Sequence, residues 1–240
     1  MRYMLLATAF AITACTAGAQ DGGQAGAVTS RNFQVAAFDK LSLSGSPNVV
    51  VAVGGQPSVR AEGEAAELDR LQIEVVDGEL RIGMRPGGGW RLGSHRGITI
   101  HVTVPALQAA TLAGSGDINI DHVQGQAFAA TVGGSGDLDV GRLRVGNASF
   151  SVTGSGGIRA AGGAQRTTAA LNGSGDLSLA GFETADATVS LVGSGDVALR
   201  ATGTAAVQLT GSGGVTIAGG ARCTIARTGS GDVSCGATSG

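Results

Sequence analysis

The chain has 240 residues, of which 43 are glycine, 4 are proline and only 3% are aromatic. Glycine does not fall at every third position, which excludes collagen, and a 42% hydrophobic content that alternates in register argues against disorder. A formal net charge of −2, with Lys40 the sole lysine, excludes a polyanion-binding surface across the whole molecule and makes nucleic acid a poor partner.

Residues 1–19 read as an export signal. Arg2 supplies the positive start, and Met4 to Ala14 is an apolar stretch too short to span a bilayer. Two processing sites compete. Ala17-Gly18-Ala19 fits the small-x-small rule of ordinary cleavage, while Ile12-Thr13-Ala14-Cys15 resembles a bacterial lipobox with Cys15 as the lipidated first residue. The bland alternative is that Cys15 is one more small apolar residue of the signal. Residues 20–32, rich in Gly, Ala, Gln and Ser, read as a flexible tether. No other segment has the length and hydropathy of a transmembrane helix.

Residues 33–104 read as irregular N-terminal strands that cap the rest of the chain. Leu41 to Val51 (LSLSGSPNVVV) resembles a degenerate first repeat, two apolar runs around a turn. Glu62 to Leu71 is the single plausible helical stretch. Asp77-Gly78 supplies the positive φ angles of a tight turn, so Gln72–Val76 and Glu79–Met84 read as a hairpin. Pro86 to Gly97 is a Gly-rich loop holding the only tryptophan, Trp90, and Ile98 to Val104 alternates as a strand.

From residue 105 the chain is ruled by seven Gly-Ser-Gly motifs, starting at Gly114, Gly134, Gly154, Gly173, Gly193, Gly211 and Gly229. Aligned on them, Leu112, Val132, Val152, Leu171, Leu191 and Leu209 share one column, which Arg227 breaks. Ile118, Leu138, Ile158, Leu177, Val197, Val215 and Val233 share another after the turn. Each rung therefore carries period-2 strands around the turn, with the apolar face inward. Parallel stacking sets like on like, which an antiparallel meander does not require. The expected fold is all-β and single-domain: a parallel β-solenoid over 33–236, with about 18–20 residues per rung and a strand-rich N-terminal cap. Seven rungs at ~4.8 Å give a stack of about 34 Å.

The repeat also bears on chemistry. Asp follows the motif at 117, 137, 176, 196 and 232, and Gly replaces it at 157 and 214. One reading is structural: glycines supply rare backbone angles while Ser and Asp bond to the turn backbone. The other is Ca²⁺ held by stacked carboxylates, as in nonapeptide β-rolls. The Asp spacing and the period disagree with that motif, so the structural reading leads and no metal or other cofactor is expected. His95, His101 and His122 match no zinc spacing, and there is no Gly-x-Ser-x-Gly elbow or nucleotide fingerprint. No catalytic residue is assigned.

Cys223 and Cys235 flank the last motif in apolar columns of one rung, which in an exported chain makes them a disulfide candidate; two buried thiols are the alternative. Arg81, Arg85 and His101 group in sequence with Trp90, Arg91, His95 and Arg96, and the last four form a candidate ligand loop, able to stack on a sugar or hold an acidic glycan. A solvated loop is the plainer reading.

Phe38-Asp39-Lys40-Leu41 leading into Ser44-Gly45, and the Gly-Ser-Gly-Asp repeats followed by alternating apolar residues, resemble the bacterial family described as putative auto-transporter adhesin, head GIN domain. The resemblance spans about residues 33–235. It implies export and a right-handed β-helix-like fold, and supplies no catalytic residues. Three functions are expected in turn. The first is a non-catalytic envelope or surface protein (an outer-membrane lipoprotein, or a periplasmic or extracellular protein) that binds a surface glycan or envelope protein along a solenoid face. The second is a polysaccharide-acting β-helix enzyme, an analogy of fold alone. The third is an envelope-stress or regulatory partner domain.

Overall fold

The repeats stack as parallel coils. The computed structural model describes residues 28–85 and 97–236. The export signal, Cys15, most of the tether and the loop residues Trp90, Arg91, His95 and Arg96 lie outside them. In chain order the elements are β1 (Val28–Phe33), β2 (Lys40–Gly45), β3 (Asn48–Val53), β4 (Ser58–Glu64), a short helix α1 (Ala65–Leu68), β5 (Leu71–Val76), β6 (Glu79–Met84) and β7 (Thr99–Val104). The repeats comprise β8 (Ala109–Gly114), β9 (Ile118–Ile120), β10 (Val123–Gly134), β11 (Asp137–Gly154), β12 (Gly157–Gly173), β13 (Asp176–Gly193), β14 (Asp196–Gly211), β15 (Gly214–Ala218), β16 (Arg222–Gly229) and β17 (Asp232–Cys235).

From β8 onward every pairing is parallel, and each motif's first Gly sits on the next one's: Gly114 on Gly134, then Gly154, Gly173, Gly193, Gly211 and Gly229. The apolar columns predicted to point inward are buried: Leu112, Val132, Val152, Leu171, Leu191 and Leu209 are each at most 2% exposed. The varying rung length is absorbed away from the turn. Register shifts fall between Val140 and Leu143, Arg159 and Gly162, Leu179 and Glu183, and Thr184 and Asp186.

The narrow core is filled by alternating sizes. Phe150 and Phe182 lie two rungs apart, yet their rings meet edge to face with centroids 5.5 Å apart. The intervening rung permits this, because it carries Ala160, Gly162 and Ala169 along its length. Such a pair adds about 0.5–1.5 kcal/mol beyond its buried area.

Before the repeats, the expectation of irregular strands over 33–104 needs correction. β2 and β3 form a regular rung: Gly45 pairs with Gly114, and Val49 with Ile118. Leu41 to Val51 is thus the degenerate first copy that its sequence suggests. β6 and β7 form one more layer beyond it, in parallel with β2 and β3. Chain order and stacking order therefore differ at this end, because the rung made first is covered by one made later. Antiparallel strands then finish it. β5 pairs with β6 through the hairpin at Asp77 (φ +52°) and Gly78 (φ +76°), β4 pairs with β7, and β1 with β4. The tether expected over 20–32 overlaps strand β1, whose Arg31 bridges Asp69 at 2.6 Å. The helix expected over 62–71 shrinks to Ala65–Leu68, because Glu62 to Glu64 complete β4 and Leu71 opens β5. Its one buried residue, Leu68, is 0% exposed and joins the core.

Candidate functional site

The repeated turn is the most conspicuous polar feature, and its groups are largely committed to the backbone. The first Gly of each motif has φ between +111° and +142° from Gly45 to Gly229, a region that L side chains avoid. From Gly45 to Gly193 its carbonyl accepts two N–H groups of the next rung: Gly114 accepts from Ser135 (2.9 Å) and Gly136 (3.1 Å), and Gly134 from Ser155 (2.9 Å) and Gly156 (3.0 Å). Close stacking forbids a side chain at the second Gly as well. A Cβ on Gly136 would overlap the carbonyl oxygen of Gly116, and one on Gly195 that of Gly175.

The Asp column caps backbone donors. Asp137 N–H donates to Asp117 Oδ1 (3.1 Å), Asp196 N–H to Asp176 Oδ1 (3.3 Å) and Gly214 N–H to Asp196 Oδ1 (2.9 Å). Asn48 starts the ladder in the degenerate rung, accepting from Asp117 N–H at 3.2 Å. The two Gly positions of this column fit the same scheme. A Cβ at Gly214 would lie 2.7 Å from Asp196 Oδ1, which folds over the site. Arg159 reaches between Asp137 (3.7 Å) and Asp139 (3.5 Å), lowering repulsion among the carboxylates. Among the described residues, no group of three or more His, Cys, Asp or Glu is arranged to hold a metal ion.

Cys223 and Cys235 come together as their columns require. Their Cα atoms are 6.5 Å apart and their sulfurs touch. They lie on β16 and β17, whose inward positions are less covered than in earlier rungs. Ile225 is 45% exposed, whereas Val207 beneath it is 1% exposed. Arg227 replaces the apolar residue above Leu209, and its Nη1 donates to Gly231 O at 2.9 Å.

Of the arginines and histidines grouped with Trp90 in sequence, Arg81 is bound to Glu79 at 2.8 Å. That hydrogen bond and nearby carboxylates push its ionisation further above the ordinary arginine value. Arg85 N–H donates to Arg70 O, and His101 is exposed on β7.

The feature missed in sequence is a wide-open, shallow hollow of about 570 Å³ at the corner of β10 to β13. One outward column runs Gln124, Arg144, Gly163, Glu183, Arg200 through successive rungs. The neighbouring corner position holds Gln126, then Gly146, then Gln165. Each column loses one side chain, at Gly163 and Gly146, and the two gaps adjoin. Close backbone packing explains the glycines: a Cβ would lie 2.8 Å from Glu183 O at Gly163 and 3.0 Å from Gln126 O at Gly146. Its sequence signal is the missing side chains of two outward columns, which an alignment of the inward columns does not reveal.

Known proteins share this geometry of stacked coils. The family model described as putative auto-transporter adhesin, head GIN domain, matches residues 37–221. None of the curated protein sequences matches the chain. Among solved structures, a putative adhesin from Bacteroides fragilis is similar with TM-score 0.78 and 18% identity, over 87% of this chain and 96% of that one. A putative lipid binding protein from Parabacteroides distasonis has TM-score 0.70 and 20% identity, over 86% and 96% of the two chains. A putative adhesin from the same organism has TM-score 0.70 and 19% identity, over 87% and 97%. At these identities the structures show a shared fold.

Proposed function

We propose a function from one premise: the chain belongs to the family described as putative auto-transporter adhesin, head GIN domain. It is a non-catalytic, exported envelope or surface protein that holds a glycan or protein partner along a solenoid face. The observation that carries this reading is the division of labour within each rung. Asp side chains of the repeated turn accept backbone N–H groups of the next rung, and the Ser amides donate to the glycine carbonyl of the preceding one, while the outward columns of the strands stay in register and free for contact. Ala109, Ala129, Ser149, Thr168, Thr188 and Ala206 form one such column, and Thr111, Thr131, Ser151, Ala170 and Ser190 the next. An extended surface of small side chains, hydroxyls interspersed with alanine methyls, suits an extended partner better than a small substrate.

Export agrees with the N-terminal sequence, and we assign Cys15 as the lipid anchor, with an outer-membrane or periplasmic position. In an oxidising compartment Cys223 and Cys235 are joined, which staples the last rung. Intact-mass measurement of the protein from its native envelope tests both, since a lipidated Cys15 or an ordinary cleavage after Ala19 gives different masses. Two free thiols by non-reducing mass spectrometry overturn the staple. The function itself is tested by glycan-array binding paired with a reducing-sugar release assay. Binding without release supports the reading; release of sugar ends places the protein among enzymes, and absence of binding to glycans and envelope proteins alike overturns it.

A further inference from the structure

The hollow at the β10–β13 corner has a chemistry of its own. Its floor is backbone at Gly146, Gly162 and Gly163 with the small apolar side chains of Val145 and Ala164 beside it, so a sugar ring can approach closely. Its rim carries four polar side chains: Gln126 and Gln165 flank the Gly146 gap, and Arg144 and Glu183 flank the Gly163 gap. Each flanking pair spans two rungs, about 9.6 Å at ~4.8 Å per rung. The glutamine amides both donate and accept, as sugar hydroxyls require of a partner.

Charge narrows the ligand. Glu183 is already satisfied, because Arg200 Nε donates to it at 2.9 Å. Arg144, Arg142 and Arg166 have no carboxylate within ion-pair distance among the described residues. Arg142, Arg144, Arg166 and Arg200 outnumber Glu183 and Asp186, the register partner of Arg166, so this corner of an otherwise weakly acidic protein is locally cationic, with Arg144 at the rim of the hollow. A guanidinium is planar and pairs with a carboxylate through two parallel hydrogen bonds. Glu183 stands on the same rim, which disfavours a dense polyphosphate and favours a ligand with isolated charges among hydroxyls. We infer that the hollow is a subsite for a uronic acid residue of an acidic polysaccharide, its carboxylate on Arg144 and its hydroxyls on Gln126 and Gln165. The inference rests on the binding function proposed above and names its site and ligand class.

The test uses polygalacturonate and its fully methyl-esterified form, which keeps the sugars and removes the charge, titrated calorimetrically into the full chain. The wild type binds polygalacturonate, the ester binds far more weakly, and added salt reduces the affinity. Arg144→Gln lowers affinity about tenfold or more, while Arg222→Gln, an exposed arginine on β16, leaves it unchanged. Both variants are surface changes, and equal melting temperatures confirm their folding. Three results overturn the inference: no binding of polygalacturonate, preference for the ester, or equal binding by Arg144→Gln. If any of them occurs while the wild type still binds on the array, the general binding function survives and only this site falls. If array binding is also absent, both fall.

Discussion

Along the Gly-Ser-Gly edge, the stack keeps one register from Gly45 to Gly229 although the rungs differ in length. Along the corners beyond the second strand of each rung, the register shifts four times between Val140 and Asp186. The difference has a physical cause. At the turn, carbonyls, N–H groups and Asp side chains of adjacent rungs are interlocked, so an added or missing residue would break several bonds at once. At the corner, residues such as 141 and 142 lie outside the ladder, and the chain can gain or lose one at little cost. The turn edge builds the scaffold, and the variable edge is where the hollow occurs.

The comparison is broken most severely by adding one methyl group at the turn. Gly136→Ala puts a Cβ against the Gly116 carbonyl, and should cost about 4 kcal/mol or prevent folding. A Gly136→Ala chain within about 1 kcal/mol of wild type in a denaturant titration would show that the turns are not in backbone contact. Next comes the C-terminal rung. Cys223→Ser should lose about 2–3 kcal/mol if the pair, 12 residues apart, is oxidised. The loss should disappear when both proteins are compared under reducing conditions. Third, Asp196→Ala removes the nearer of the two acceptors of Gly214 N–H (Asp196 Oδ1 at 2.9 Å, with Gly195 O at 3.3 Å remaining) and should cost about 1 kcal/mol, read as a lowered thermal midpoint. Smallest is Gly125→Ala at the corner. A Cβ there meets nothing within 4 Å, so stability should stay within about 0.5 kcal/mol, measured in the same titration as Gly136→Ala.

Much of the scaffold was legible because a solenoid repeats its contacts at a fixed spacing. Aligning Gly114 to Gly229 placed Leu112 and Ile118 in the core and set Cys223 beside Cys235, since neighbours in space were equivalents in sequence. Asp77-Gly78 gave its hairpin for the same reason of locality. The N-terminal end resisted. The layering of β6 and β7 over β2 and β3, and the antiparallel return of β4 and β1, join segments with no shared motif. Glu62 to Leu71 has helical composition, but tertiary pairing took both its ends into strands. The hollow depends on what Gly146 and Gly163 lack, which a search for chemical groups passes over.

The central claim is that the Gly-Ser-Gly motif, with its solvent-facing serines, is internal framework. Hydrogen exchange of backbone amides tests it most directly. The amides of Ser135, Gly136, Ser155 and Gly156, bonded to the preceding rung, should exchange as slowly as those of the buried strands, opening only with global unfolding, while Gly141 and Arg142 at the corner exchange by local opening. Rapid exchange at the four turn amides, as in an ordinary exposed loop, would contradict the account.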